Sequence, residues 1–291
     1  MGKENAITVD LTAVILRVRG TEPQVMTVRS PLSLPSGAFS PDIHRTLELG
    51  LRSWVEEQTG EKISYVEQLY TYGNWHRNPV SRHGNRNVTV GYYALIPYVK
   101  SDKSLPGRWV NLYSFFPWEN FREGKPLVVS TVIEPKLRDW ISEAKTSTEK
   151  IDREERVLGS FGDFNNWDMS KVLFRYEILY EAGLVAESHR DWDDWAKDAR
   201  HRLPISCFKI EDDSYRTLSK DMGFSMFGDH RRILASTLAR VRGKLPYKPI
   251  VFKLLPPEFT LLRIQRVYEG LIGILPHFTA LKEIPRLIEL I

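Results

Sequence analysis

Hydrophobic and polar positions follow two different periods in the first part of the chain. Ile7–Arg19 is rich in β-branched residues and partly alternating, which predicts a buried strand. A turn at 20–23 precedes a strand-like segment at 24–29, so these two strands are predicted to pair as a hairpin. Over Ile43–Gln58 the apolar residues recur every four positions and Gly60 follows, which predicts an amphipathic helix with a glycine stop.

Three further segments have the composition of strands. They lie at 64–72, 88–99 and 126–133. A hairpin, a helix and additional strands together predict an α+β fold, an α/β/α sandwich of about 140 residues. The stretch from 134 to about 220 is less regular, with helices predicted at 137–145 and 169–183 and a turn at 162–168 that caps the second helix.

The segment His189–Arg202 is dense in Asp, Arg and Trp. Its aspartates at 191, 193 and 194 raise the possibility of a metal site. Trp192 and Trp195 interrupt them and no glycine turn supports a calcium loop. We therefore predict a solvated loop or helix face here, and no metal.

A strong helical pattern covers Asp229–Leu245. Its apolar stripe consists of Leu234, Leu238, Val241 and Leu245. Its termini and other face carry His230, Arg231, Arg232, Arg240 and Arg242. Gly243 lies inside the pattern and weakens it.

The last part of the chain predicts two short helices. After the apolar run 250–252, Thr260 can cap a helix that runs to about Gly270, and a second helical pattern covers Thr279–Ile291. Two short helices joined by a tight turn in basic surroundings suit a helix-turn-helix. The alternative is an ordinary helical hairpin that docks on the sandwich.

Charge is distributed unevenly along the 291 residues. The net charge is +4, but Ser225–Ile291 holds 11 basic and 5 acidic residues, against 30 and 32 in the rest. A basic C-terminal region suits contact with a polyanion such as DNA, although a solvated basic helix face has the same composition. The single cysteine, Cys207, excludes an internal disulfide framework, and no apolar run reaches the roughly 20 residues of a membrane span. Without a signal-like N-terminus, we predict a cytoplasmic protein.

Specific sequence blocks carry a resemblance to a known family. Phe227–Ile250, with its Gly-Asp-His-Arg-Arg-Ile-Leu core, resembles a signature of the Nudix-related transcriptional regulators of NAD biosynthesis, the NrtR and NadQ type. Leu254–Gly270 resembles the entry to that family's winged helix, while 60–73 and 88–97 resemble its Nudix core. A poorly matched insert between about 144 and 225 resembles the alphaproteobacterial NadQ branch.

The resemblance implies three parts. Residues 1–225 would form a Nudix-like ligand-sensing domain with a partly helical insert, 226–250 a linker and transmission helix, and 251–291 a winged-helix-type DNA-binding region truncated before its wing. The implied function is a nucleotide-sensing regulator of NAD metabolism genes, a repressor that acts as a homodimer on an operator in double-stranded DNA.

The Nudix box can be compared with this chain residue by residue. With its final glycine at Gly60, its four acidic positions fall on Arg45, Trp54, Glu57 and Gln58. Only Glu57 keeps a carboxylate, whereas hydrolysis requires a carboxylate cluster to hold a divalent metal against a pyrophosphate. We therefore predict a domain that binds its ligand without hydrolysis and needs no cofactor. A divergent Nudix hydrolase and a nucleotide-dependent protein scaffold without DNA binding are the alternatives.

The resemblance also implies the ligand, which is ADP-ribose, NAD or ATP. Phosphates favour arginine and an adenine favours an aromatic face. The predicted ligand-binding residues are Arg29, Arg52, Glu57, Tyr70, Tyr72 and Arg77, with Trp75 near the rings. For the tyrosines, plain core packing is the alternative.

Two more sets of residues complete the predictions. The DNA-binding set is Lys253, Arg263, Arg266, Lys282 and Arg286. The transmission or dimer set, at the start of the Asp229 helix, is Asp229, His230, Arg231 and Arg232. For the second set, a capped and solvated helix terminus is the alternative.

Overall fold

The alternating stretch at the N-terminus forms the longest strand of a mixed sheet. The computed structural model describes residues 7–28, 32–74, 77, 86–99, 106–164, 167–197 and 221–274. The strands are β1 (Ile7–Arg19), β2 (Glu22–Thr27), β3 (Ser36–Ala38), β4 (Tyr65–Tyr72), β5 (Arg86–Leu95) and β6 (Arg108–Asn111). The α-helices are α1 (Leu47–Thr59), α2 (Glu134–Ser142), α3 (Ser147–Phe161), α4 (Val172–Glu181), α5 (Ala186–Lys197), α6 (His230–Lys244) and α7 (Leu261–Ile272).

Strand β1 lies at the centre of the sheet. It runs parallel to β5 and antiparallel to β2, and the strand order is β4-β5-β1-β2-β6. The short β3 pairs with the first half of β1, next to β2 on the same edge. The predicted strands at 7–19, 24–29, 64–72 and 88–99 are thus confirmed, with shifts of a few residues at their ends.

Helix α1 covers one face of the sheet. It begins four residues later than predicted, where the Thr46 hydroxyl accepts a hydrogen bond from the Leu49 amide at 3.1 Å. It ends at Gly60, whose φ of 72° is the left-handed conformation that glycine adopts readily. Leu51 and Val55 pack against residues of β1 and β5 on this face.

The opposite face carries the larger core, built from α2–α4, α6, α7 and the connections between them. Helix α6 packs on β1, β4 and α4, and its predicted stripe of Leu234, Leu238, Val241 and Leu245 is buried. The α+β sandwich prediction is confirmed. Two of the arginines that the pattern placed at the termini or on the other face, Arg231 and Arg242, are buried as well, at 0% and 2% exposed.

The predicted strand at 126–133 is wrong. Residues 129–133 form a helical turn that continues into α2. Val129, Ile133, Leu137 and Trp140 are buried while Leu127 is 79% exposed, a spacing typical of a helix. The β-branched composition of Val-Val-Ser-Thr-Val-Ile favoured a strand, but burial of one helical face prevails over that propensity.

Two elements, β6 and α3, were not predicted, and a third, α5, was predicted only as a solvated loop or helix face. Helix α3 has a capping box, because the Thr146 hydroxyl accepts from the Glu149 amide at 3.1 Å and the Glu149 carboxylate accepts from the Lys145 amide at 2.9 Å. The segment predicted as a solvated loop or helix face forms α5, and its Asp191 is buried, where it accepts a hydrogen bond from the Tyr180 hydroxyl.

Helix α7 begins at the predicted cap. The Thr260 hydroxyl accepts from the Arg263 amide at 3.2 Å, and Ile264, Val267 and Leu271 are buried against β1 and β2. A β-carbon at Gly270 would meet the Thr21 carbonyl, so glycine allows the helix to approach the β1–β2 turn closely. The helix predicted at 279–291 lies outside the described residues. None of the described helices has the length and apolarity to cross a bilayer.

Candidate ligand-binding site

Helix α1 carries the positions at which the Nudix box has its carboxylates. The Trp54 indole donates a hydrogen bond to the Ala38 carbonyl at 3.1 Å, and a β-carbon at Gly37 would overlap its ring. The Gln58 amide donates to the Ser36 carbonyl at 2.7 Å and accepts from the Ser36 amide at 3.1 Å. Both side chains thus fasten β3 to α1, and neither is a metal ligand.

The other predicted residues of this helix are Arg52 and Glu57. Arg52 pairs with Glu48 at 2.7 Å and also donates to the carbonyls of Ile63 and Ser64. Glu57 is exposed and Arg45 is exposed and cationic. This set of donors does not fit a divalent cation, which requires several oxygen ligands. Within the described part of the chain, no group of three or more His, Cys, Asp or Glu residues could hold a metal ion.

Arg77 lies in a cluster of four charges on the other face of the sheet. Its guanidinium makes a bidentate pair with Glu177, at 3.1 and 2.7 Å, and stacks 3.7 Å from the Tyr180 ring centroid. Arg232 contacts Glu177 at 2.6 Å and Asp229 at 3.0 Å. Arg77, predicted as a phosphate ligand, is therefore engaged internally and only 7% exposed.

Asp229 completes this cluster. Burial raises its pKa to about 6, although Arg232 and Arg77 act in the opposite direction. Its side chain is 12% exposed and lies 3.9 Å from the Arg77 guanidinium. The cluster holds two arginines and two carboxylates, so uptake of a proton by Asp229 adds one positive charge to it.

The start of α6 is not a solvated terminus. His230 Nδ1 accepts from the Leu34 amide at 2.9 Å. Arg231 pairs with the buried Glu187 at 3.2 Å and donates to the carbonyls of Phe115 and Met222. The four residues predicted to transmit a signal therefore join α6 to α4, α5 and the loop after β2.

A cleft of about 480 Å³ lies between β4 and α6. Tyr70 and Tyr72 line it from the strand, with their ring centroids 5.5 Å apart in an edge-to-face arrangement. Arg232, Ser236 and Arg240 line it from the helix. The cleft thus brings together the two predicted tyrosines and Arg232, whereas Arg52 and Glu57 lie on the α1 side of the sheet.

Sequence reasoning missed several residues of this region. Arg240, Gly243 and Tyr247 line the cleft, and Glu177 holds Arg77 and Arg232. One signal was present in the sequence, because Gly243 interrupts a helical pattern on the side that Arg240 and Ser236 share. The partners of the arginines had no such signal, since Glu177 lies 100 residues from Arg77 in the chain.

Three of the five predicted DNA-binding residues lie in the described part of the chain. Lys253 and Arg266 are exposed, and Arg263 is half-buried on α7. The Lys253 ammonium lies 5.9 Å from the Tyr65 ring centroid. Arg29, Trp75, Lys282 and Arg286 lie outside the described residues.

Comparisons with known proteins show what fold this arrangement belongs to. No protein-family model and no curated protein sequence matches the chain. Shewanella oneidensis NrtR, crystallised with a 27mer DNA, aligns over 97% of this chain and 82% of its own at 16% identity and a TM-score of 0.51. A MutT/nudix family protein from Enterococcus faecalis aligns over 100% and 83%, at 14% identity and a TM-score of 0.53. The chain therefore has a Nudix-related, NrtR-like fold, as the sequence resemblance implied.

Proposed function

We propose that this chain is a DNA-binding transcription regulator whose Nudix-like domain binds a nucleotide without hydrolysing it. One observation carries the proposal: Trp54 and Gln58, at two carboxylate positions of the Nudix box, are hydrogen-bonded to the backbone of β3. A hydrolase needs a metal at this place to activate water. A sensor requires only that the ligand bind and persist.

The DNA-binding part of the proposal rests on fold and charge. The Shewanella oneidensis protein of this fold was crystallised with DNA, and the C-terminal region of this chain is basic. We assign phosphate contacts to Lys253, Arg263 and Arg266, and further contacts to Lys282 and Arg286. The chain acts in this proposal as a cytoplasmic homodimer of the NadQ branch that represses NAD metabolism genes, with ADP-ribose, NAD or ATP as effector.

Helix α6 gives the ligand a physical route to the DNA-binding region. Arg232 and Arg240 line the cleft, while Arg242, two residues further on, donates to the Leu271 carbonyl at the end of α7 at 2.9 Å. A ligand that binds one conformation of α6 more tightly than another shifts the population toward that conformation. Because Arg242 joins α6 to α7, α7 moves with α6. In a dimeric reader of DNA, a small rotation of this kind changes the spacing of the two binding units.

The DNA-binding assignment is tested by fluorescence anisotropy with a duplex from a NAD-biosynthesis promoter, across a series of salt concentrations. Lys253→Ala and Arg266→Ala should each weaken binding and reduce the slope of log K against log salt by about one, because each removes a phosphate contact. Lys136→Ala, at an exposed lysine of α2, is the matched control. Slopes that are equal for all three variants and the unchanged chain would remove Lys253 and Arg266 from the interface.

A divergent Nudix hydrolase is the second candidate, since a MutT/nudix family protein shares the fold. Incubation with ADP-ribose and Mg²⁺ or Mn²⁺ should release no AMP. The control is Glu57→Gln, which removes the last carboxylate of the box. Release of AMP by the unchanged chain and its loss in the Glu57→Gln variant would establish the hydrolase and exclude the sensor.

A further inference from the structure

A bulge in β4 and a stripe of residues on α6 give the cleft between them its shape. A register shift between Gln68 and Tyr70 in β4 is a bulge, and it brings Leu69, Tyr70 and Tyr72 to the same side of the strand. Opposite them, positions 232, 236, 240 and 243 form one stripe of α6. The cleft therefore has one aromatic wall and one basic wall.

A glycine keeps this cleft open. Gly243 lines it, and a β-carbon placed there would meet no atom within 4 Å. Glycine inside a helix is less stable than alanine, and neither φ nor steric contact requires glycine at this position. The open space beside Arg240 is the structural consequence.

The basic wall contains one cation that its neighbours do not neutralise. Arg232 is balanced by Glu177 and Asp229. Arg240 is 44% exposed, donates to the Leu69 carbonyl at 3.4 Å and lies 3.8 Å from Glu67, but that carboxylate is already hydrogen-bonded to Lys244. Since Glu67 carries one charge and faces two cations, Arg240 is available to an anion.

The aromatic residues of the cleft supply a stacking surface and a buried donor. Tyr70 is 62% exposed, and Tyr247 beyond the end of α6 is 61% exposed. Tyr72 is 4% exposed, and within the described part of the chain its hydroxyl makes no hydrogen bond of normal geometry, although Ser236 lies next to it. Burial raises the pKa of Tyr72, so the phenol stays protonated and can donate.

From this geometry we infer that the cleft between β4 and α6 binds a mononucleotide-sized ligand, a planar ring that carries a phosphate. The ring lies against Tyr70 and Tyr247, and the phosphate pairs with Arg240. A volume of about 480 Å³ falls within the usual range of small-molecule sites. The site is on the face of the sheet opposite α1, so it does not depend on the positions of the Nudix box.

This inference rests on the proposed function for the regulatory meaning of the ligand, but its binding test uses no DNA. The probe is AMP, titrated calorimetrically into the full chain, with adenosine and inorganic phosphate as the separated halves. We expect AMP to bind at least tenfold more tightly than either half. Arg240→Gln should weaken AMP binding about tenfold or more, because it removes a charge-assisted contact.

The decisive variant is Gly243→Leu, whose β-carbon meets no atom within 4 Å and whose longer side chain would occupy the cleft that Gly243 lines. It should reduce AMP affinity at least tenfold while its thermal unfolding midpoint stays at or above that of the unchanged chain. The matched control is Gly159→Leu, at a helical glycine of α3 whose β-carbon also meets no atom within 4 Å. It should bind AMP as the unchanged chain does.

Two results would overturn the inference. One is a folded full chain that binds no AMP at millimolar concentration, and the other is a Gly243→Leu variant that binds AMP with unchanged affinity. Loss of promoter preference in the DNA assay would contradict the proposed function and leave the outcome of this titration unaffected.

Discussion

At the scale of single residues, the core contains a buried carboxylate that is paired with two buried arginines. Glu119 is 0% exposed and accepts from Arg175 at 2.7 and 2.9 Å and from Arg242 at 2.6 Å. Both arginines also donate to backbone carbonyls, Arg175 to that of Ser160 in α3 and Arg242 to that of Leu271 in α7. Those carbonyls lie at or near helix C-termini, where the helix dipole favours a cation.

Glu119→Gln should therefore destabilise the protein strongly. The amide keeps the size of the side chain but leaves Arg175 and Arg242 without a counter-charge in the core, at a cost of about 3–5 kcal/mol. Urea denaturation measures the change in the free energy of unfolding. Glu154→Gln, at an exposed pair on α3, is the control and should leave the midpoint unchanged. Equal midpoints for both variants would show that the buried network does not hold the fold.

The contact between Gly37 and Trp54 can be tested in the same way. Gly37→Ala should cost about 1–3 kcal/mol of unfolding free energy, because the new methyl group overlaps the indole ring. In the double variant with Trp54→Ala the overlap is gone, so the two effects should not add. Strict additivity in this double-mutant cycle would place the Trp54 ring away from Gly37, and with it the filled Nudix position.

The lowered pKa of Glu67 predicts that the free energy of unfolding depends on pH. Burial opposes its ionisation, but hydrogen bonds from Lys244, Tyr65 and Tyr93 prevail and lower its pKa to about 2, from an ordinary 4.5. A carboxylate with a lowered pKa stabilises the fold above its unfolded pKa, and that contribution is lost as the pH falls toward the folded value. The difference in unfolding free energy between the unchanged chain and Glu67→Gln should thus be constant from pH 7 to 5. It should shrink at pH 4 and 3, whereas a difference that grows on acidification would contradict the assignment.

At the scale of elements, local signals located helix ends better than they distinguished strand from helix. Thr260 and Gly60 were identified from sequence because capping depends on one side chain or one backbone conformation. The helical turn at 129–133 was not, because its β-branched residues favour a strand and only the burial of Val129 and Ile133 determines the outcome. Helix α3 was detectable, since Thr146 and Glu149 form a capping box.

The hydroxyl of Thr260, which caps α7, is predicted to stabilise the fold. Thr260→Ala should lower the free energy of unfolding by about 1 kcal/mol, because the Arg263 amide loses its acceptor. Thr260→Ser keeps the hydroxyl and is the matched control, with an expected change of a few tenths of a kcal/mol at most. Chemical denaturation followed by circular dichroism measures both. A serine variant as unstable as the alanine variant would show that the hydroxyl does not cap α7.

At the scale of the whole molecule, α6 contacts segments that lie far apart in the sequence. The resemblance assigned 226–250 to a linker and transmission helix, and in the structure that helix packs on the sheet, on α4 and on α7. Arg231, Arg232 and Arg242 are paired with Glu187, Glu177 and Glu119, which lie 44 to 123 residues away in the chain. Periodicity within a segment predicts which face of a helix is buried, but it contains no information on such distant partners.

The same limit applies to the candidate site. Tyr70 and Tyr72 were predicted because the resemblance implies an adenine nucleotide and an adenine favours an aromatic face. Both residues line the cleft. Arg77 shares that loop, but Glu177 and Asp229 make it part of an ion-pair cluster. Its surroundings depend on how α4 and α6 pack on the sheet, which no local pattern indicates.

We propose that this chain couples nucleotide binding to DNA binding without hydrolysis. The most direct test is the fluorescence anisotropy of a NAD-biosynthesis promoter duplex against a scrambled control, titrated with ADP-ribose, NAD and ATP, with the nucleotides recovered by chromatography afterwards. We expect a preference for the promoter, a change in that binding caused by one nucleotide, and recovery of that nucleotide intact. Equal binding of both duplexes at low and moderate salt, or recovery of AMP in place of the added ADP-ribose, would contradict the account.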